Sequence, residues 1–263
     1  MAHVVALYRY PVKGFTPESC EALTVLESGR VAGDRALAFR FADSGLPEDA
    51  WSRKYGFSVL ANTPGVARLT TRFDPDTRRL RITLEKEVLA DHAIDGEGRK
   101  ALALAVEQYV MTLPENPFWT HPERRPLQLI GDGATPRYQD SQAGEITLHS
   151  RESLAQVAAA LRQSDLEESR FRSNIAIDGV AAWAEQDWLG RTLRIGTVEL
   201  DVVRPKTRCL ATHANPRTGE RDLAVMQVLV RAFAQQQPTF AIALTTRGRG
   251  GVIRLGDEIT VLE

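Results

Sequence analysis

The sequence predicts a mainly β protein with a few helices, an α+β fold, and three observations support this class. Most apolar residues occur in short stretches that alternate with polar residues, include many β-branched side chains and end near Gly or Pro. Helical spacing of apolar residues is confined to a few longer stretches. A run with four prolines in thirteen residues, at positions 114–126, separates two such β-rich halves.

The first half contains the patterns of several strands and one helix. Alternating or β-branched stretches predict strands at residues 4–10, 22–26, 36–41, 66–73 and 80–84. The sequence DPDTRR between the last two has Asp and Pro where a hairpin turn needs them. Residues 42–58 have mixed composition and are interpreted as an irregular surface excursion. At residues 96–111 the period changes, with Leu102, Val106 and Val110 on one helical stripe.

The second half alternates between strand and helix patterns. We predict strands at residues 145–149, 175–177, 195–203 and 252–263. Ser150 is the expected N-cap of a helix that carries Leu154, Val157 and Leu161, and Asp222 is the expected cap of a helix over residues 223–233. Placing the domain boundary in the proline-rich run gives one domain at residues 1–120 and another at 121–263.

Composition restricts the class of protein. With 263 residues, 43% of them hydrophobic and 25% charged, the chain can bury a full core. A net charge of −1 does not favour nucleic-acid binding, and no apolar run approaches the ~20 residues that span a bilayer. The N-terminus lacks the features of a signal peptide, so we expect a cytoplasmic location. Two cysteines cannot form a disulfide framework, a four-thiolate zinc site or an iron–sulfur site.

Cys209 is the candidate reactive residue. It follows a predicted strand and has Lys206 and Arg208 as near neighbours, with Arg204 five positions earlier. Cations favour the thiolate, which attacks electrophiles and binds soft metals. On this local pattern alone, a small buried apolar side chain remains the simpler interpretation.

Five segments carry a resemblance that covers nearly the whole chain in order. They read LYRYPVKG, DRALAF, FRSNIAIDG with WAEQDWLGRTLRIG, RPKTRCLATHANPRTGERD and IRLGDEI. The chain resembles MOSC-domain proteins, a family related to the C-terminal domain of molybdenum-cofactor sulfurases. It is most similar to members with an N-terminal β-barrel half, such as the amidoxime-reducing components. The resemblance implies an N-terminal β-rich half packed on a C-terminal MOSC β-barrel, with the cofactor in the groove between them.

The resemblance also implies roles for individual residues. Cys209 matches the family cysteine that ligates molybdenum. The residues that match positions gripping the pterin and its phosphate are Lys13, Arg35, Ser153, Arg172 and Asn174. A lysine, two arginines and a helix N-terminus are suited to a phosphate. Each has a structural alternative: Lys13 and Arg35 as solvated turn residues, Ser153 as an ordinary first-turn residue, and Arg172 as an ion-pair partner.

Two positions depart from the family pattern. Gly14 stands where relatives have a serine hydroxyl that could bind phosphate, and Ser173 stands where they have proline. His213 lies four residues after Cys209, but in a loop this spacing defines no catalytic pair. Neither departure affects the sulfur ligand.

The implied function is a molybdenum-cofactor (molybdopterin) oxidoreductase that reduces N-hydroxylated or N-oxygenated small molecules. We expect no pyridoxal-phosphate domain and no iron–sulfur site in this chain, electrons from a separate protein, and neither nucleic acid nor membrane as a partner. The first alternative is a carrier without turnover, which holds sulfur as a Cys209 persulfide or holds the cofactor itself. The second is a nucleic-acid module, suggested only by TRGRGG at residues 246–251, which is better interpreted as a turn.

Overall fold

The residues that the structure describes form fifteen strands, which make up most of their regular structure, so the mainly β class is confirmed. The computed structural model describes residues 1–45, 47–48 and 51–262. The excursion predicted at residues 42–58 and the tail predicted to residue 263 are described except at positions 46, 49, 50 and 263, which lie outside these ranges. The strands are β1 (His3–Arg9), β2 (Glu18–Cys20), β3 (Ala22–Val25), β4 (Ala38–Arg40), β5 (Leu69–Asp74), β6 (Arg79–Leu84), β7 (Glu87–Ala93), β8 (Gln128–Ile130), β9 (Ile146–Ser150), β10 (Ile175–Asp178), β11 (Thr192–Ile195), β12 (Val198–Thr207), β13 (Thr239–Arg247), β14 (Gly251–Arg254) and β15 (Ile259–Leu262).

In the described part of the chain, three α-helices accompany the strands: α1 (Gly96–Met111), α2 (Arg151–Leu161) and α3 (Val225–Ala232). The bounds predicted for α1 are confirmed, and Ser150 caps α2 by accepting a hydrogen bond from the Ser153 backbone N–H. The cap predicted for α3 is wrong. That helix begins later, after Ala224, because the Asp222 carboxylate is held instead by Arg170 at 2.8 and 2.9 Å.

The largest sheet has eight strands in the order β15-β11-β12-β13-β9-β10-β1-β2. All neighbouring pairs are antiparallel except β9 and β10. The sheet curls until β15 at one end meets the start of β1 near the other, where Val4 N–H donates to the Asp257 carbonyl and Ile259 N–H donates to the Ala2 carbonyl, both at 2.9 Å. Such closure satisfies backbone groups that would otherwise form an exposed edge.

Alternation along β12 places Val198, Leu200 and Val202 inside this barrel, as predicted for a half-buried strand. The single strand predicted at residues 195–203 is nevertheless two strands. The chain reverses at Gly196, whose φ of +57° suits a tight hairpin, and β11 and β12 then pair with each other. The TRGRGG run spans the end of β13, the turn at residues 248–250 and the first residue of β14.

The other main layer is the antiparallel sheet β5-β6-β7, on which α1 packs. The predicted hairpin is confirmed, with Asp74 accepting hydrogen bonds from the turn N–H groups of Asp76 and Thr77. Apolar residues of this sheet and of α1 form a core, to which Phe118 of the proline-rich run also belongs. That run therefore packs against the first half.

The first strand does not stay with the first half. β1 pairs with β10, and its apolar side chains lie in the barrel core together with residues of the second half. The boundary at residue 120 stays a prediction. Because β1 belongs to the barrel of the second half, the residues just after β1 come to face a loop about two hundred residues later in the chain. Among the described residues, no helix is long and apolar enough to cross a membrane.

Candidate functional site

Two adjoining pockets lie where the halves meet, and both contain Cys209. We call them the main pocket and the side pocket. The main pocket is lined by Arg35, Gln139, Asp140, Ser141, Glu145, Thr147, Arg170, Phe171, Arg172, Lys206, Thr207, Arg208, Cys209, Ala211 and Thr212. The side pocket is lined by Lys13, Gly14, Arg35, Lys54, Val59, Leu60, Ala61, Asp140, Arg172, Cys209 and Ala211.

The structure brings four of the six predicted site residues together. Arg35, Arg172 and Cys209 line both pockets, and Lys13 lines the side pocket. Local backbone geometry places them. Arg35 and Arg172 both adopt a left-handed conformation, with φ of +53°, and Cys209 caps a 3-10 turn at Leu210–His213 just beyond β12. A non-glycine residue with such a φ is uncommon, and these conformations cluster at functional sites.

Lys13 is a buried cation with only 2% of its surface exposed. Its ammonium donates hydrogen bonds to the Tyr138 carbonyl at 2.8 Å and to Asp140 Oδ1 at 2.7 Å. Burial lowers the pKa of Lys13, and the Asp140 carboxylate opposes this shift. The alternative of a solvated turn lysine is therefore wrong.

Arg35 and Arg172 stack on the same ring. Their guanidinium carbons lie 4.7 Å and 4.3 Å from the centroid of Tyr10. Arg35 pairs with Asp34, so it too is no solvated turn residue, and Arg172 donates to the Phe15 carbonyl. The Arg172 Nη2 atom is buried and, within the part of the chain that the structure describes, has no hydrogen-bond partner. Burial, reinforced by the charge of Arg35, lowers the pKa of Arg172.

One cation near the cysteine is remote from it in sequence. Lys54 lines the side pocket together with Cys209; burial lowers the pKa of Lys54, but the nearby Cys209 and Asp140 raise it by more. Arg208 donates instead to the carbonyls of Phe171 and Phe240 at 2.7 Å.

Lys206 and Arg204 are likewise turned away from the sulfur. Both pair with the buried carboxylate of Glu145, at 3.2 and 2.5 Å. Lys206 and Arg208 still line the main pocket, so they contribute to its positive potential rather than to a contact with the thiol.

Ser153 is not brought to either pocket. It is fully buried; its hydroxyl donates to Glu185 Oε2 at 2.9 Å and accepts from the Trp183 N–H at 2.7 Å. Glu185, itself fully buried, therefore supplies the anion at the N-terminus of α2. A phosphate predicted at this helix end would have to displace a carboxylate of the chain itself.

Asn174 also lies behind the pocket rather than in its lining. Its amide oxygen accepts from the Thr147 N–H at 3.3 Å, and its amide nitrogen donates to the Tyr8 carbonyl at 3.2 Å and to Asp34 at 3.4 Å. Since Asp34 in turn pairs with Arg35, these contacts give Asn174 a positioning role. A direct cofactor contact stays a prediction without support from its side-chain partners.

Comparison with known proteins assigns the chain to a family. The family model described as the MOSC N-terminal beta barrel domain matches residues 1–119, and that of the MOSC domain matches residues 136–260. Together they cover nearly the whole sequence. The chain belongs to the MOSC-domain family.

Two curated relatives and one solved structure resemble this MOSC protein. Mitochondrial amidoxime-reducing component 1 of Homo sapiens is 25% identical over 260 residues, which cover 90% of this chain and 73% of the relative. The Mus musculus protein of the same name is 27% identical over 243 residues, covering 83% and 67%. The crystal structure of the YUAD protein from Bacillus subtilis matches with a TM-score of 0.44 at 11% identity, over 98% of this chain and 93% of that one.

Sequence reasoning missed several pocket residues of this MOSC protein. Lys54 lies in the irregular excursion, where no period or motif distinguishes it. Asp140 and Ser141 belong to the polar stretch YQDSQAGE just before β9, and a polar stretch that ends at a strand leading to the site is the one signal that could have found them.

Two other candidate side chains do not line either pocket. His213 accepts a hydrogen bond from the Met226 N–H at 3.3 Å, so it serves the start of α3. Cys20 lies in β2, opposite Leu7 of β1. Both cysteines are free thiols.

Proposed function

We propose that this MOSC protein binds molybdenum cofactor in the two pockets and reduces N-oxygenated small molecules. The observation that carries the proposal is the convergence of three predicted cations, from both halves of the chain, on the pocket that contains the Cys209 sulfur. The names of the two curated relatives, amidoxime-reducing components, support the substrate class.

The residues present fit both ends of such a cofactor. The phosphate end needs cationic donors, and the buried, unpaired Nη2 of Arg172 is a donor that lacks an acceptor among the described residues. The metal end needs a soft ligand, which a thiolate beside the Lys54 ammonium can supply. Buried cations are costly unless paired, so an arriving phosphate would stabilise the pocket.

Each side chain then has a distinct task. Cys209 would ligate the metal, and Lys54 would balance the charge of its thiolate. Lys13, Arg35 and Arg172 would hold the phosphate, and Asn174 would orient Arg35 through Asp34. When bound, the cofactor would supply the two-electron chemistry that this chain's own side chains lack.

The overall reaction is balanced by electrons and protons from outside the substrate. Reduction of an amidoxime consumes two electrons and two protons, breaks the N–O bond, and yields an amidine and water. A separate electron-transfer protein would deliver the electrons. The expected cytoplasmic location stays a prediction, since the curated relatives are mitochondrial by name.

Metal analysis coupled to turnover tests the proposal. Protein expressed in a molybdenum-replete host should contain close to stoichiometric molybdenum and convert benzamidoxime to benzamidine with a reduced viologen as artificial donor. Protein without molybdenum from such a host would contradict the proposal. Molybdenum retained without any reduction would instead favour the carrier alternative.

A further inference from the structure

Asp140 is a carboxylate that contacts the buried Lys13, one of the three cations proposed to bind the cofactor's phosphate. Its Oδ1 atom lies 2.7 Å from the Lys13 ammonium, the one hydrogen-bond partner of this carboxylate among residues 1–45, 47–48 and 51–262. The two partners differ in accessibility, because the Lys13 side chain is 2% exposed whereas that of Asp140 is 56% exposed. The bond therefore joins a fixed cation to a carboxylate that solvent can reach.

The side pocket surrounds the Asp140 carboxylate with positive charge. Its lining contains four cationic side chains, Lys13, Arg35, Lys54 and Arg172, and within the described ranges Asp140 is its one acidic residue. Partial desolvation by the pocket walls raises the pKa of Asp140, but the charges of Lys13 and Arg35 hold it well below the usual range, so the side chain is an anion at neutral pH.

Asp140 pairs with only one of the cations proposed to bind the phosphate. While it occupies Lys13, the Nη2 atom of Arg172 in the same pocket has no acceptor in the described part of the chain. A carboxylate carries one charge, whereas a phosphate group carries ~1.5 to 2 charges and three acceptor oxygens. One phosphate could therefore serve both cations where Asp140 serves one.

The backbone around Asp140 is anchored, so the exchange requires only a side-chain rotation. Arg30 donates to the Pro136 carbonyl at 2.6 Å and to the Gln142 carbonyl at 2.7 Å. Gln139 donates to the Asp34 carbonyl at 2.9 Å. Between these fixed points the exposed carboxylate can turn outward without moving the chain.

We propose that Asp140 is an internal substitute for the cofactor's phosphate, which holds Lys13 in the empty protein and is displaced when a phosphate group binds. The inference rests on the proposed function, because the cofactor is taken as the source of that phosphate. It makes Asp140 a competitor: the carboxylate keeps the buried cation paired before loading and weakens the binding of small anions.

Inorganic phosphate is the probe that tests this competition. Calorimetry on cofactor-free protein at fixed ionic strength should show that Asp140→Asn binds phosphate about tenfold more tightly than the unaltered protein. Asp165→Asn is the matched control, since it removes one carboxylate from an exposed ion pair with Arg217 and should leave the affinity unchanged. Adding Lys13→Met to Asp140→Asn should abolish the gain, with circular dichroism confirming the fold.

Three results would overturn the inference. These are an unchanged or weaker affinity in Asp140→Asn, no phosphate binding to either protein, and phosphate binding of equal strength to cofactor-loaded protein, which would mean that the cofactor does not use this grip. Failure of the proposed function is distinguishable, because protein from a molybdenum-replete host would then lack the metal whichever residue stands at position 140.

Discussion

At the scale of single residues, the environment of Cys209 depends on which cationic side chains are already paired with other groups. Lys206, Arg208 and Arg204 surround Cys209 in the sequence, yet each is paired with a carboxylate or with backbone carbonyls. Lys54, remote in sequence, lines the side pocket together with Cys209. Sequence proximity therefore predicted a positive environment, and the tertiary structure adds to it a cation that the sequence did not indicate.

The first residue-scale prediction concerns the sulfur. Cys209→Ser should keep the fold but lose molybdenum and turnover, because a hydroxyl is a harder and far less acidic ligand than a thiol. Cys20→Ser is the matched control and should retain both. Metal analysis, amidine formation and thermal unfolding measure the outcome, and full activity in Cys209→Ser would exclude the metal-ligand assignment.

The second residue-scale prediction concerns the three cations proposed to bind the phosphate. Each of Lys13→Met, Arg35→Ala and Arg172→Ala should lower cofactor affinity by about ten- to a hundredfold, since a charge-assisted hydrogen bond contributes ~1.5 to 3 kcal/mol. Double variants should be non-additive because they share one partner. Lys100→Ala, which removes an exposed cation on α1, should have no effect. Independent, fully additive losses would argue against a shared phosphate.

At the scale of elements, the N-terminus of α2 is a structural anion site. Ser150 and Ser153 both hydrogen-bond Glu185 Oε2, at 3.1 and 2.9 Å, in a region with no exposed surface. The two hydroxyls at the N-terminus of α2 thereby hold the 3-10 turn Ala184–Trp188 against the helix. The motif match predicted that Ser153 binds the cofactor's phosphate, whereas its tertiary contacts indicate that it stabilises the fold.

These two interpretations of Ser153 make opposite predictions. Ser153→Ala should lower the free energy of unfolding by about 1 to 3 kcal/mol, because it leaves Glu185 and the Trp183 N–H short of a partner. Molybdenum content and phosphate affinity should be unchanged. Denaturant unfolding and metal analysis decide between them: normal stability with lost cofactor would restore the cofactor role.

At the scale of the whole molecule, a half-buried carboxylate joins three separate parts of the chain. Glu168 accepts hydrogen bonds from Tyr8 of β1 at 2.5 Å and from Arg151 of α2 at 3.1 Å, and lies 3.4 Å from His149 of β9. Burial alone would raise the pKa of Glu168, but the nearby His149 ring and the hydrogen bonds from Arg151 and Tyr8 lower it to about 2.

This depressed pKa predicts an acid-sensitive contribution to folding. The folded pKa lies below the ordinary 4.5, so the stabilisation is fully present above that value and is lost as pH falls towards about 2. Its upper limit is about 3 kcal/mol, from roughly 1.4 kcal/mol for each unit. Unfolding of Glu168→Gln should therefore depend less on pH between 5 and 2. An identical pH profile in both proteins would contradict the assignment.

Local patterns in the sequence determined the class of fold, α1, the cap of α2, the β5–β6 hairpin and the alternating interior of β12. Each depends on periodicity or turn chemistry within a few residues, and the ordered motifs added Lys13, Arg35, Arg172 and Cys209. Only the tertiary structure decided that β1 joins the barrel, that Glu185 fills the end of α2, and that Lys54 and Asp140 enter the site. Those contacts link residues separated by up to about 170 positions in the chain, and no local period encodes which distant charge compensates a buried one.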